Sequence, residues 1–386
     1  MNFDVVIVGA GLVGASFARA LDGAGMRIAL VEPGKPAQPT DAWDNRIYAI
    51  SPANAAFLAD LGAWRLLDAS RIQAVQRMEI FGDAPGARIS FSAYETGVGE
   101  LAFIVESGRL QRALWDELVA QRDVSLYTPA RCAALEVNEA EATLTLENGE
   151  RLVAKVVVGA DGASSWVREH AGLTASARSY GERGVVANFA CTRSHHDTAY
   201  QWFRLDGVLA YLPLPGARMS MVWSTPDDHA GELLRLSPDA LSERVTEAGR
   251  RVLGDLEVLT LPAAFPLQLL TADRTVASRV ALIGDAAHVV HPLAGQGVNL
   301  GFGDARALAR VLRAREAFRD CGDHALLRRY ARSRAEAVLA MRQVTDGLQY
   351  VFGARSRIIS AIRNAGLNFT DRLPVLKNLL VRQALG

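Results

Sequence analysis

The sequence predicts an α/β protein: a parallel sheet with helices packed on it, an inserted antiparallel sheet, and a helical region toward the C-terminal end. Three observations predict it. Short β-branched runs without polar alternation recur at residues 5–8, 153–158 and 280–283, and each breaks into a corner rich in Gly and Asp. Residues 184–266 change pattern, to short runs separated by turn dipeptides. Beyond Ala325, large apolar residues return at helical spacing.

With 386 residues and roughly 150 per domain, two or three domains are expected. Half the residues are hydrophobic and 22% are charged, which excludes disorder as the main state. Forty-two basic residues balance 42 acidic ones, so no overall positive field exists to condense on nucleic acid. Cys132, Cys191 and Cys321 are far apart and odd in number, matching neither a disulfide framework nor a zinc site, and a reducing cytoplasm is expected. Met1-Asn2-Phe3-Asp4 carries no basic leader, and no apolar run reaches the roughly 18 residues of a membrane span. The expectation is a soluble protein, at most peripheral at the inner membrane.

The first forty residues read as one βαβ unit. Asp4-Val5-Val6-Ile7-Val8 is a strand buried on both faces, ending in Gly9-Ala10-Gly11-Leu12-Val13-Gly14. A small-residue helix follows through Ala15, Ala18 and Ala20, and the strand from Arg27 to Val31 closes at Glu32. Gly9 permits the tight turn, Gly11 lets backbone amides approach a pyrophosphate, and Gly14 brings helix and strand together. Glu32 is placed to accept hydrogen bonds from an adenosine ribose and to repel a 2′-phosphate, so the nucleotide is of NAD or FAD type.

Two further corners separate those alternatives. Val153–Val158 runs into Gly159-Ala160-Asp161-Gly162-Ala163-Ser164-Ser165-Trp166-Val167-Arg168, and Val280–Ile283 into Gly284-Asp285-Ala286-Ala287-His288. Ligands gather beyond the carboxyl ends of parallel strands, so three corners imply a long ligand touched at several points. FAD satisfies that where NAD does not.

Together with Asp44-Asn45-Arg46-Ile47-Tyr48-Ala49-Ile50-Ser51 and His291-Pro292-Leu293-Ala294-Gly295-Gln296-Gly297-Val298-Asn299-Leu300-Gly301, these corners resemble the flavin-dependent aromatic hydroxylases, and within them the ubiquinone-biosynthesis hydroxylases. The resemblance runs from Asn2 to about Arg313. It implies a Rossmann-like FAD-binding domain of residues 1–70, 101–183 and 271–313. It also implies a para-hydroxybenzoate-hydroxylase-like substrate domain of residues 71–100 and 184–270, and C-terminal helices over 314–386. By the same resemblance Asp285 holds the ribitol chain, Arg46 lies along the flavin, and Asp161 with Arg168 braces the pyrophosphate side or the reductant's approach. Pro292, Gly295, Gln296 and Gly297 lie against the isoalloxazine, and His291 joins Pro292, Gly295 and Gln296 as the expected catalytic set. Gly284 and Asn299 complete the cofactor set. One departure stands out: family members often carry Val-Glu-Asn or an Arg where this chain reads Val105-Glu106-Ser107-Gly108-Arg109.

The residues support the third corner independently. Leu300, Ala307, Leu308, Val311 and Leu312 give residues 298–313 a helical pattern whose N-terminal end is Gly295-Gln296-Gly297. Its free amides and positive dipole end favour the negative charge of a reduced flavin.

Asp285, His288 and His291 at i, i+3, i+6 suggest a metal, but Pro292 and the glycines indicate a loop and no fourth ligand presents itself, so no metal is expected. His288 and His291 either act on a substrate proton or pack the loop through backbone carbonyls. Ser164 and Ser165 lack a nucleophile elbow and are read as caps of the helix through Trp166 and Val167. Strands are expected at residues 185–190, 200–205, 208–213 and 218–224, turning at Asp206-Gly207 and Pro215-Gly216. Met219, Met221 and Trp223 share one face of the last strand, which is either core or the wall of an apolar pocket.

From Ala325 onward the chain carries a net charge of +8, and the remainder −8. Helices are expected from Ala325 to Gln343, around residues 348–362, and from Pro374. They either dock on the acidic body or attach to an anionic membrane through Arg355, Arg357, Arg363, Arg372, Lys377 and Arg382.

The resemblance implies a FAD-dependent monooxygenase. In such an enzyme O₂ and reducing equivalents, from NAD(P)H or a separate reductase, give a flavin C4a-hydroperoxide that hydroxylates a prenylated phenol or benzoquinol in ubiquinone biosynthesis. The alternatives are a soluble phenolic substrate, a mainly scaffolding flavoprotein subunit of a biosynthetic complex, and, least favoured, a NAD-linked dehydrogenase.

Overall fold

Each apolar residue of the first strand, β1 (Asn2–Val8), serves one of two cores. Val5 and Ile7 pack under the helices on one face, and Phe3, Val6 and Val8 pack on the other. That is why the run lacks polar alternation. The computed structural model describes residues 2–84, 86–290 and 297–353, with side chains to residue 340.

Strand β1 is central in a mixed eight-stranded sheet. It pairs in parallel with β2 (Ile28–Val31) on one side and with β4 (Arg151–Gly159) on the other; β2 continues to β3 (Val124–Tyr127), and β4 to β9 (Val280–Leu282). Helix α1 (Leu12–Ala20) packs against the long helix α5 (Gly297–Arg313) and against α2 (Ser107–Ala120). The register decides the site: Val8 lies opposite Gly159, and Gly159 opposite Leu282. All three corners therefore leave the sheet side by side.

The insertion is a nine-stranded sheet. Its backbone is β5 (Ala175–Cys191), β6 (Thr198–Arg204), β7 (Gly207–Leu214) and β8 (Arg218–Pro226), antiparallel between sequential hairpin partners, with the Arg77–Phe81 and Arg88–Ser92 hairpin at one edge and Ala263–Ala272 beyond β5. The turns fall at Asp206-Gly207 and Pro215-Gly216 as expected. Strand β5 is longer than the sequence suggests, running unbroken through residue 184.

Alternation resolves the two faces of this sheet. Val185, Ala187, Phe189, Met219, Met221 and Trp223 are buried beneath helices α3 (Asp227–Arg235) and α4 (Pro238–Ala248). Val186 and Val222, one residue out of phase, face the nucleotide-binding sheet. The Met219, Met221, Trp223 stripe is thus core.

Helix α6 (His324–Gly353) is a single helix, continuing past Gln343 where the sequence reading ends one helix and begins another. The segment from residue 354 onward, with its basic residues and the helix expected at Pro374, lies outside the described residues. Among the described residues, no helix is long and apolar enough to cross a membrane.

Met221→Ala should cost about 2–5 kcal/mol of stability in chemical denaturation and leave cofactor content unchanged. Unchanged stability with altered ligand binding would place Met221 on the pocket wall instead.

Candidate functional site

The first corner is built from close backbone contact. Gly9 has φ +100°, and a Cβ there would sit 2.5 Å from Ala160 O; a Cβ on Gly14 would sit 2.0 Å from Gly9 O. Only hydrogen fits at either position. At Gly11 the same construction meets nothing within 4 Å, so the loop is open on the side where α1 presents its first amides. Glu32, ending β2, accepts from Ala10 N at 2.6 Å and ties the loop to the neighbouring strand. Its other oxygen accepts from Gly34 N at 3.4 Å, and the residue lines the cavity.

Asp161 and Arg168 turn inward on the protein. Asp161 accepts from Ser165 Oγ at 2.5 Å and Val167 N at 3.0 Å, while Ser165 Oγ caps Arg168 N. Arg168 donates to Ala286 O at 2.9 Å and Ala163 O at 2.8 Å. The guanidinium thus clamps the second corner to the third.

At the third corner Gly284 adopts φ +61° and Asp285 projects into the cavity, surrounded by protein but open to the cavity space. Burial raises the Asp285 pKa above the usual carboxylate range, with His288 and Arg46 pulling against that rise. Arg46 lines the same cavity, its guanidinium 4.9 Å from the Phe265 ring centroid. Tyr48 stands nearby; burial lifts its phenol pKa, and Arg46 offsets part of the rise.

Residues 105–109 supply the anchor for the Arg46 segment. Glu106, buried, is held by Arg71 at 2.7 and 2.8 Å and by Arg109 at 2.9 Å, and accepts from Asp44 N. Asp44 in turn accepts from Arg46 N and Gly108 N, and Arg71 lies 3.6 Å over the Trp43 ring. A buried carboxylate with two guanidiniums is stable only as a closed network. Glu106 therefore fixes the backbone that carries Arg46.

One cavity of about 960 Å³ brings these pieces together. Gly9, Gly11, Glu32, Arg46, Asp161, Asp285 and Gly297 line it; Gly14, Arg168 and Gly284 stand directly behind it. One end is polar, with Glu32, Arg131 and Glu147, and the other is walled by Val186, Val222, Phe265 and Leu267 of the second sheet. That length and polarity fit a dinucleotide with its heterocycle under the sheet. Asn299 behaves differently from the expectation. Its amide accepts from Ser51 N and Asn54 Nδ2 and donates to Ala49 O, so it clamps protein to protein. His291, Pro292, Gly295 and Gln296 lie outside the described residues.

Sequence reasoning missed Asp304. Fully buried in α5, it accepts from Gly284 N at 3.0 Å, and its Oδ2 lies 2.6 Å from His288 Nε2 in a charge contact bent away from hydrogen-bond alignment. Its only local signal is an acid on an apolar helix face, between Phe302 and Ala305. Burial opposes charge on His288, but the Asp304 carboxylate outweighs it and the imidazole pKa ends above its ordinary value. For Asp304 burial acts in the opposite direction, yet His288 and Arg334 hold its pKa below the usual range.

The raised His288 contributes stability fully present below its unfolded pKa of about 6.5 and lost as pH rises through the folded value. Asp304 contributes stability present above its unfolded pKa of about 3.9 and lost as pH falls through the folded value. Urea denaturation of His288→Gln should therefore lose the stability decline that the native chain shows on the alkaline side of pH 6.5. An unchanged pH profile would show that His288 stays neutral.

The chain matches the FAD binding domain family over residues 2–345. It is 34% identical over 390 residues to 3-demethoxyubiquinol 3-hydroxylase of Escherichia coli (strain K12), covering 99% of this chain and 98% of that protein. It is 33% identical to ubiquinone hydroxylase UbiL of Rhodospirillum rubrum, covering 99% and 89%. Among solved structures it is similar to PqsL of P. aeruginosa (TM-score 0.78, 25% identity, covering 96% of this chain and 100% of that one). HpxO of Klebsiella pneumoniae, complexed with FAD, shares the fold at TM-score 0.75 and 19% identity, covering 100% and 99%.

Proposed function

This chain belongs to the FAD binding domain family and, within it, to the FAD-dependent aromatic-ring monooxygenases, and from that membership we propose that it hydroxylates a prenylated phenol or benzoquinol on the route to ubiquinone. The observation that carries the reading is the cavity's division into a polar nucleotide half and an apolar half roofed by the second sheet.

FAD, when bound, supplies two-electron reduction and reaction with O₂. The chain supplies the environment. Gly9 and Gly11 would let the first-turn amides of α1 meet the pyrophosphate, and Glu32 would accept from the adenosine ribose. Asp285 would accept from the ribitol hydroxyls, and Arg46, which lines the same cavity and interacts with the Asp285 charge, would supply positive charge beside the flavin. Arg168, holding Ala286 O, keeps that corner in place. Pro292, Gly295, Gln296 and His291 complete the flavin side of the site in this reading.

Val186, Val222, Phe265 and Leu267 present an apolar surface to the substrate ring and keep water from the reacting centre. Little acid–base machinery is required, and binding is mostly apolar, which suits a hydrophobic aromatic substrate. No second glycine-rich nucleotide fold follows the first in the sequence, so the reductant is either NAD(P)H bound transiently or a separate reductase. For the basic segment beyond residue 353 two readings stand, docking on the acidic body and peripheral attachment to an anionic membrane.

Cells lacking this chain should accumulate a prenylated ring precursor one hydroxylation short and lose mature quinone, as read by lipid extraction and mass spectrometry. An intact quinone pool with no new intermediate would remove the pathway assignment while leaving the FAD enzyme standing.

A further inference from the structure

The Gly284–Asp285 corner is held from behind by a helix none of whose described side chains lines the cavity. Tyr330 of α6, buried, donates to Leu282 O at 2.9 Å, at the end of the strand that feeds the corner. One turn further along, Arg334 Nε donates to Asp304 Oδ1 at 2.7 Å, and the other oxygen of that carboxylate receives Gly284 N at 3.0 Å. Arg334 also donates to Leu300 O at 3.1 Å, in the first turns of α5. A Cβ on Gly303 would lie 2.7 Å from the Arg334 guanidinium, so the arginine packs directly against the glycine backbone and would have to shift for any larger residue there.

We propose that Arg334 is a positioning residue for the cofactor: through Asp304 it orients the Gly284 amide, and so the Asp285 carboxylate, making cofactor affinity depend on the docking of α6. The proposal rests on the FAD reading above. Asp304 has no exposed surface, so its orientation is set entirely by Arg334, His288 and Gly284 N. A flexible corner would lose its geometry toward a ribitol hydroxyl before the sheet itself lost order. Because Arg334 grips both Asp304 and Leu300 O, it sets the corner and the start of α5 as one piece.

Arg334→Met, Arg334→Lys and, as a control on the same helix, the exposed Arg332→Ala are purified as holoenzymes, stripped of FAD and titrated with FAD by fluorescence quenching. Apo-protein melting and the flavin midpoint potential are recorded alongside. Arg334→Met should bind FAD about tenfold or more weakly, Arg334→Lys should fall between it and wild type, both should shift the potential, and Arg332→Ala should match wild type. A folded Arg334→Met or Arg334→Lys chain with wild-type affinity and potential overturns the proposal, even if its melting temperature is lower, because that pattern marks a merely structural role. Should Arg334→Met fail to fold, Arg334→Lys, which keeps the charge beside Asp304, decides on the same readouts. A wild-type chain that takes up no FAD would instead overturn the cofactor reading.

Discussion

The parallel register of three neighbouring strands governs the rest of the structure. Val8, Gly159 and Leu282 sit opposite one another across β1, β4 and β9, so the three loops that follow them emerge together at one edge. No pair of these strands is close in sequence; what brings them together is the burial of uninterrupted β-branched runs on both faces. Small residues then let the loops touch. Gly9 meets Ala160, and Gly284 and Gly301 close on Val13, so the first corner contacts both others through positions where a larger side chain would collide.

Charge is handled in two closed networks away from the cavity surface. Glu106 with Arg71 and Arg109 fixes the segment that carries Arg46, and Asp304 with His288 and Arg334 backs the corner that carries Asp285. Breaking such a network by removing one partner costs about 3–5 kcal/mol, because a buried charge is left uncompensated. The segments that bring Arg46 and Asp285 to the cavity are thus held by side chains that do not line it. The second sheet contributes shape more than charge: one face is sealed under α3 and α4, and the other closes the cavity with Val186 and Val222.

Much of this was legible in the sequence because it is local. The glycine corner, the closing acid at residue 32 and the turns at Asp206-Gly207 and Pro215-Gly216 are set by backbone sterics within a few residues, and the strands between them follow from apolar runs. Three other features depend on distant partners. The burial of Met219, Met221 and Trp223 is decided by helices that follow the strand, and alternation alone cannot say which face they cover. Asn299 lies in a motif that suggests ligand contact, yet its amide meets Ala49, Ser51 and Asn54, some 250 residues earlier. Asp304 and Arg334 are thirty residues apart on different helices, and nothing local pairs them. The residues from 105 to 109 act by anchoring a loop, a role visible only once Arg71 is folded beside them.

The central claim is that one FAD molecule spans all three corners at once. Hydrogen–deuterium exchange of the FAD-stripped chain, with and without one equivalent of FAD, reads each corner separately. The account predicts new amide protection at residues 9–14, 160–165 and 283–289 in the same titration, saturating at one FAD per chain. Protection confined to residues 9–14, with the corner at Gly284 unchanged, would contradict it and leave a nucleotide held by a single βαβ unit.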